Sequence, residues 1–187
     1  MNHKKIIIYT DGGARGNPGP SGIGVVIYNE NKELIEEHSD FLGIATNNQA
    51  EYKAVILALK KAQLLEAEEL HFYLDSELVV KQLRGEYKVK NKDLASLFLE
   101  IHNLAVNFKK ISYTHIRREL NQEADRLANE AMDRESNLFA TDVKMLAQTA
   151  STPIIKRYPC FAFNISCRTA TFIRIAATAR WIINIGD

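Results

Sequence analysis

Residues 5–20 read KIIIYTDGGARGNPGP, and this stretch decides the fold. Its apolar run, Ile6 to Ile8, predicts a β-strand that is covered on both faces. The strand is predicted to end at a single carboxylate, Asp11, followed by five residues that are only glycine, alanine and arginine. Glycines let a backbone approach a bulky anionic ligand, because they add no side chain. Such an Asp lies where open α/β sheets bind ligands, although Asp-Gly is also a common turn.

The composition is that of an ordinary globular protein. The chain has 187 residues, of which 46% are hydrophobic and 25% charged, enough for one domain or one domain with an appendage. The net charge of +1 gives no argument for or against a nucleic-acid partner, which must come from local patches. The start predicts no signal peptide, and no apolar run approaches the ~20 residues of a membrane span. We therefore expect a cytoplasmic protein without a membrane partner.

Hydrophobic periodicity predicts three strands, a helix, a strand, two helices, a strand and a final helix. Because helices link strands one, four and five, we expect these strands to be parallel. A short polar turn makes strands two and three an antiparallel pair. The prediction is a mixed five-stranded α/β sheet. The strands are expected at 4–10, 22–28, 33–42, 70–74 and 111–115, and the helices at 48–65, 76–83, from 93, and 122–133.

The character of the sequence changes near its end, and we divide the chain into a catalytic domain, 1–136, and a C-terminal extension, 137–187. From Val143 to Gly186 there is no acidic residue, whereas basic residues recur. Three interpretations stay open: a poorly ordered basic tail, a small element that binds nucleic acid, or an aberrant end such as a frameshift.

Four carboxylates lie at positions that are typical of catalytic or metal-binding residues. Asp11 and Asp75 each end a predicted parallel strand, and neighbouring strands lie ~4.8 Å apart. Glu51 and Asp125 are each expected in the first turn of a helix. A purely structural explanation is the alternative for the two helical acids, because a carboxylate near a helix N-terminus stabilises the helix by ~0.3–1 kcal/mol.

Taken together, the four acids predict a metal centre. Carboxylates that converge on one sheet edge repel each other unless cations neutralise them. Oxygen ligands without His or Cys suit Mg²⁺ or Mn²⁺. Two such ions ~3.5–4 Å apart promote phosphoryl transfer, because one activates water while the other stabilises the leaving oxygen.

Four blocks of the chain resemble the signature blocks of type 1 ribonuclease H. They occur in the family's order and spacing and cover residues 5 to about 134. The resemblance implies a ribonuclease H-like fold with strand order 3-2-1-4-5. The blocks are Tyr9-Thr10-Asp11-Gly12-Gly13 with Gly16-Asn17-Pro18-Gly19, Thr46-Asn47-Asn48-Gln49-Ala50-Glu51, Leu74-Asp75-Ser76, and Asn121-Gln122-Glu123-Ala124-Asp125-Arg126-Leu127-Ala128.

The resemblance also implies an activity and a set of site residues. It implies an endonuclease that uses two Mg²⁺ or Mn²⁺ ions to cut the RNA strand of an RNA/DNA hybrid, leaving 5′-phosphate and 3′-hydroxyl ends. His115 matches the family's mobile catalytic histidine, although a strand-end histidine without a role is the alternative. The catalytic and metal-binding acids are Asp11, Glu51, Asp75 and Asp125. The substrate contacts are Asn17, Thr46, Asn47, Asn48, Gly12 and Gly13, of which Asn47 and Asn48 could equally be helix caps.

The sequence departs from the family at two places. Glu77 stands where many members have a substrate-binding Gln, which puts that contact in doubt. The segment from Arg84 to Asp93 is too short for the extra helix and basic protrusion of some bacterial members. Basic residues in and beyond it are expected to replace part of that protrusion, because phosphate contacts dominate hybrid affinity. They are Arg84, Lys88, Lys90, Lys92, Arg117 and Arg118.

Other functions stay open at this stage. Double-stranded RNA is a second possible substrate for members without the protrusion. Integrases, resolvases and exonucleases use similar sheets, but they lack the Thr-Asn-Asn-x-x-Glu block. A catalytically silent hybrid-binding module is the alternative outside enzymes, and four intact carboxylates argue against it. We expect a monomer that acts without sequence specificity and reads backbone shape and 2′-hydroxyls.

Overall fold

The computed structural model of the protein describes residues 4–150. Five strands and four helices follow one another in the predicted order, with a 3₁₀ turn at Arg118–Leu120. The strands are β1 Lys5–Ala14, β2 Gly19–Asn29, β3 Leu34–Ala45, β4 Glu69–Leu74 and β5 Lys110–His115. The helices are α1 Asn47–Leu64, α2 Glu77–Leu83, α3 Lys92–Ala105 and α4 Gln122–Ala150.

The strands form one mixed sheet in the order β3-β2-β1-β4-β5, which confirms the predicted fold. β1 pairs with β4 in parallel, β4 pairs with β5 in parallel, and β2 is antiparallel to both β1 and β3. Apolar side chains of the central strands pack against α1 and α3, where Ile8, Phe72, Tyr52 and Leu59 are fully buried. This core holds the carboxyl ends of β1 and β4 side by side.

β1 is longer than predicted and continues past Asp11 to Ala14, so that the first glycines are strand residues rather than a loop. The reason is the close approach of α1. A Cβ on Gly12 would lie 2.2 Å from the carbonyl carbon of Ala50 and 2.3 Å from the nitrogen of Glu51. Glycine at this position lets the backbone of α1 rest directly on β1. The group that approaches Gly12 most closely is therefore a helix of the same protein.

Helix boundaries also differ from the predictions. α1 begins earlier, because Thr46 accepts a hydrogen bond from the Gln49 amide while the Gln49 side chain accepts one from the Thr46 amide. α4 continues well beyond Asp133 to Ala150, and no glycine or proline interrupts that stretch. The rest of the predicted extension, residues 151–187, lies outside the described residues.

Residues 84–91 connect α2 to α3 without another helix. The connection therefore contains no extra helix, as the sequence predicted. α2 ends as predicted, before Gly85, whose φ of +76° suits a glycine after a helix. Of the helices at residues 4–150, none combines the length and the apolar character needed to span a membrane.

Candidate active site

Asp11 and Asp75 lie where β1 and β4 separate. The last parallel pair between these strands is Thr10 with Leu74, and each acid is the next residue in its chain. Beyond that point β1 remains paired only with β2, where Asp11 faces Gly24. The two carboxylates therefore stand at the carboxyl edge of the sheet, as the sequence predicted.

Glu51 reaches the same place from α1. The helix begins at Asn47, so Glu51 is its fifth residue and lies beyond the first turn. The sequence had predicted Glu51 within that turn. Favourable placement at the helix N-terminus is thus a weak explanation for this acid. Glu51 is also buried, with 5% of its surface exposed, which is costly for a carboxylate that has no partner.

The three acids form one compact cluster. One carboxylate oxygen each from Asp11, Glu51 and Asp75 lie within 4.8 Å of one another. Burial, followed by the charges of Asp75 and Asp125, raises the pKa of Asp11 to about 7. Burial, followed by the charges of Asp11 and Asp75, raises the pKa of Glu51 well above its ordinary value. The cluster therefore favours either a proton or a cation between its carboxylates.

Asp125 is held differently from the other acids. It lies in the first turn of α4, as predicted, but outside the three-acid cluster. Nη2 of Arg118 lies 2.5 Å from Oδ1 of Asp125, and Nδ2 of Asn129 donates to Oδ2 at 3.1 Å. The pKa of Arg118 is raised by its hydrogen bond to Asp125 and by the charge of that residue. The negative charge of the fourth carboxylate is thus already compensated by Arg118 of the same protein.

All four acids line one open cavity of about 260 Å³. A larger cavity of about 420 Å³ beside Tyr9 and Tyr28 includes none of them. We take the smaller cavity as the candidate active site, because the buried carboxylates line it. Its lining consists of Asp11, Gly12, Gly13, Ala14, Arg15, Asn47, Glu51, Asp75, Arg118, Asp125, Ala128, Asn129 and Met132.

The predicted substrate contacts divide between this cavity and the loop beside it. Oδ1 of Asn47 accepts from the Ala14 amide at 3.2 Å, and the Asn47 amide donates to Oδ1 of Asn17 at 3.3 Å. Asn47 is therefore a brace between α1 and the end of β1, not a helix cap. The cap of α1 is Thr46. Asn17, Thr46 and Asn48 line a separate cavity of about 150 Å³.

His115 and Glu77 stand at the edge of the site, near Asp75. Nε2 of His115 lies 3.2 Å from the backbone oxygen of Asp75, so the exposed imidazole contacts the acid-bearing turn. Glu77 forms an ion pair of 2.7 Å with Lys81, one helical turn further along α2. Ser76 occupies the N-cap position of α2, but its side chain makes no capping hydrogen bond there.

Three polar residues contact the acids although the sequence assigned them no role at the metal. Arg118 and Asn129 both bind Asp125. Asn129 could have been found from its position four residues after Asp125 on the same helix face. Asn121 donates to Oδ1 of Asp75, and no sequence pattern connects these two residues.

The cluster fits a divalent cation. Oε2 of Glu51 is buried and has no hydrogen-bond partner among the residues that the structure describes. Uncompensated buried carboxylate oxygens are rare in proteins unless they serve a bound ion. The donor set of Asp11, Glu51 and Asp75 consists of oxygens only, which Mg²⁺ and Mn²⁺ prefer.

Comparison with known sequences gives a consistent set of relatives. A family model described as reverse transcriptase-like matches residues 9–131. A Mycobacterium tuberculosis protein, named as bifunctional, is 43% identical over 139 residues, which are 74% of this chain and 38% of the relative. Ribonuclease HI of Halobacterium salinarum is 40% identical over 129 residues, which are 69% of this chain and 65% of the relative. The chain thus spans less than two thirds of the length of these curated relatives.

Solved structures agree with the sequence relatives. The crystal structure of RNase H1 from Halobacterium salinarum has a TM-score of 0.68 at 40% identity and covers 70% of this chain and 98% of that chain. LC11-RNase H1, solved in complex with an RNA/DNA hybrid, has a TM-score of 0.67 at 46% identity. The match covers 70% of this chain and 98% of that chain. Two proteins named RNase H1 therefore share the fold described above.

Proposed function

The chain belongs to the type 1 ribonuclease H family, and we propose that it hydrolyses the RNA strand of RNA/DNA hybrids with the help of divalent cations. The observation that carries the proposal is the cluster of Asp11, Glu51 and Asp75, whose oxygens lie within 4.8 Å of one another in an open cavity. A domain that only binds nucleic acid gains nothing from three carboxylates at this site, because they repel phosphate.

The acids would hold the cations in a fixed arrangement. Asp11 and Asp75 would bind the ions from the two strand ends, while Glu51 and Asp125 would each complete the coordination of one ion. When bound there, two divalent cations supply an activated water for in-line attack and stabilise the leaving oxygen. Cleavage in this manner leaves a 5′-phosphate and a 3′-hydroxyl. Mg²⁺ and Mn²⁺ both suit the oxygen ligands.

Neutral polar groups beside the acids would bind the hybrid. Asn17, Thr46, Asn47 and Asn48 lie at the junction of β1 and α1, and amide side chains suit minor-groove edges and 2′-hydroxyls. Gly12 and Gly13 line the cavity itself. Such contacts recognise shape and the 2′-hydroxyl rather than base sequence. His115, close to Asp75, would assist turnover as the product leaves.

A gel assay with an end-labelled RNA strand tests the proposal. The hybrid is incubated with the protein in Mg²⁺, in Mn²⁺ and in chelator, beside single-stranded RNA, duplex RNA and duplex DNA. We expect internal cuts in the RNA of the hybrid that require a divalent cation. The duplex RNA lane decides whether double-stranded RNA is a second substrate.

The catalytic control is Asp11→Asn, which removes one charge from the cluster and keeps the side-chain shape. We expect this variant to remain folded and to lose cleavage. Full cleavage by Asp11→Asn would overturn the assignment of the site. Binding of the hybrid without cuts in either cation would instead favour a silent binding module.

A further inference from the structure

Asn121 is a buried residue at the N-terminus of α4. Only 1% of its surface is exposed, and its backbone oxygen accepts the first helical hydrogen bond of α4, from the amide of Asp125 at 3.1 Å. An Asn at that position ordinarily uses its side-chain oxygen to cap the helix. Here Oδ1 of Asn121 is buried and has no hydrogen-bond partner within residues 4–150. The side chain therefore serves something other than the helix.

The amide nitrogen of Asn121 joins the two strands that carry the central acids. Nδ2 donates to the backbone oxygen of Thr10 at 3.0 Å and to Oδ1 of Asp75 at 3.3 Å. Thr10 belongs to the last residue pair of β1 and β4, and its carbonyl is bonded directly to the nitrogen of Asp11. The two hydrogens of one amide thus bridge the strands at the point where they separate.

The contact also fixes the rotation of the Asp75 carboxylate. A carboxylate oxygen that accepts a hydrogen bond cannot turn freely about the Cβ–Cγ bond, and the second oxygen takes a defined direction. The donor is neutral, so it does not compete with a cation for the charge of Asp75. Arg118 does compete in this way at Asp125, where it forms an ion pair. Asp75 is therefore oriented without being neutralised.

The arrangement destabilises the N-terminus of α4, because the side chain of Asn121 binds Thr10 and Asp75 instead of capping the helix. A buried oxygen without a partner is destabilising, and the N-terminus of α4 lacks a side-chain cap from Asn121. Residues that break such local rules are concentrated at functional sites. Partners that hydrogen-bond to metal-binding carboxylates commonly change metal affinity by about 10–100-fold when they are removed.

We propose that Asn121 is a positioning residue that orients Asp75 toward the cation and sets the spacing between the ends of β1 and β4. The inference rests on the proposed metal site and adds a residue to it. Asn121 need not touch the cation or the hybrid. Its effect is transmitted through the carboxylate of Asp75 and the peptide before Asp11.

The test measures Mn²⁺ affinity without nucleic acid, from the paramagnetic resonance signal of free Mn²⁺. Asn121→Ala is compared with the parent chain and with Gln82→Ala. Gln82 is a matched control, because it is also a buried amide whose side chain accepts a hydrogen bond from the hydroxyl of Tyr52 at 2.8 Å, but it does not line the cavity of the acids. We expect the Kd for Mn²⁺ to rise about 10-fold or more in Asn121→Ala and to stay within about 2-fold in Gln82→Ala. Thermal unfolding should show that both variants lose stability.

Cleavage gives a second readout. If Asn121 positions a metal ligand, high Mn²⁺ should restore most of kcat in Asn121→Ala, whereas a general loss of structure cannot be restored by metal. Asn121→Ser, which retains a short donor, is measured in the same way and decides the matter if Asn121→Ala does not fold. Parent-like Mn²⁺ affinity in the folded variant overturns the inference, and so does an equal loss in Gln82→Ala.

Asp75→Asn separates this inference from the proposed function. If the parent binds Mn²⁺ no better than Asp75→Asn does, the metal site itself is wrong. If the parent binds Mn²⁺, Asp75→Asn does not, and Asn121→Ala binds like the parent, the metal site stands and the role of Asn121 is wrong.

Discussion

The guanidinium of Arg118 lies against the carboxylate of Asp125, with 2.5 Å between Nη2 and Oδ1. One of the four acids in the candidate site is therefore paired with a positively charged side chain of the same protein. The side chain of Arg118 is 73% exposed, so the pair can open toward solvent at modest cost. The same charge lowers the pKa of both Asp11 and Glu51, although burial outweighs it at each.

Replacing Arg118 by Ala should tighten the binding of Mn²⁺ to the free protein by about 3–10-fold. The variant loses a positive charge that competes with the cation for Asp125, and an interaction of about 1 kcal/mol corresponds to this change. Titration with Mn²⁺ in the absence of nucleic acid measures the effect. Arg117→Ala is the control, because Arg117 forms no ion pair with an acid in the described part of the chain. Equal affinities in the two variants would show that Arg118 does not act through Asp125.

Asp11→Asn should stabilise the protein in chelator. The substitution removes one of three neighbouring carboxylates, and the raised pKa of Asp11 shows that its charge is unfavourable in the folded state. Each pKa unit corresponds to about 1.4 kcal/mol, so we expect a gain of at least that size at neutral pH. Thermal unfolding in chelator measures it. Saturating Mn²⁺ should stabilise the parent much more than the variant, and a lower melting temperature of Asp11→Asn in chelator would contradict the prediction.

The stability of the metal-free parent should fall as pH rises from about 4 to about 7. Asp11 has a pKa of about 7 in the folded state, against an ordinary value of 3.8, so the folded state holds the proton more tightly than the unfolded state does. Raising the pH through this window removes that proton and destabilises the fold. Melting temperatures of the parent and Asp11→Asn isolate the effect, because other groups titrate in both. The advantage of the variant should grow up to about pH 7 and then level off.

Gly12→Ala should destabilise the protein by about 3 kcal/mol and abolish most of its cleavage activity. The new methyl group would overlap the backbone of Ala50 and Glu51, which can yield only if α1 moves away from β1. That movement also carries Glu51 out of the acid cluster. Gly13→Ala is the matched control for stability, because the nearest atom to its Cβ is Cε of Met132 at 3.6 Å. Similar denaturation midpoints for the two variants would contradict the packing argument.

Glu77→Gln should strengthen hybrid binding several-fold at low salt. The substitution removes a negative charge near Asp75 and releases Lys81 from its 2.7 Å ion pair, so the local potential becomes more favourable to phosphate. The KM for the hybrid at two salt concentrations measures the effect, which should shrink at high salt. Glu100→Gln breaks a comparable ion pair with Lys60, 2.8 Å long, and controls for net charge. An equal change in both variants would exclude a local role for Glu77.

Much of the fold was readable from the chain. The apolar run at Ile6 to Ile8 and the helical links predicted the parallel strands, and the short polar turn predicted the antiparallel pair; all are confirmed. The boundaries were less certain, as at β1, which continues to Ala14, and α4, which continues to Ala150. A strand continues or stops according to what packs on it. At Gly12 that is the backbone of α1.

The sequence by itself determined that Asp11 and Asp75 meet, because side chains at the carboxyl ends of neighbouring parallel strands share one edge of the sheet. Only the tertiary structure decided how those acids are held. Asn121 reaches Thr10 across 111 residues and Asp75 across 46, and the burial that raises the pKa of Glu51 comes from the packing of α1 on β1. Periodicity reports only neighbours along one element, whereas hydrogen bonds and desolvation depend on every element that closes around a side chain.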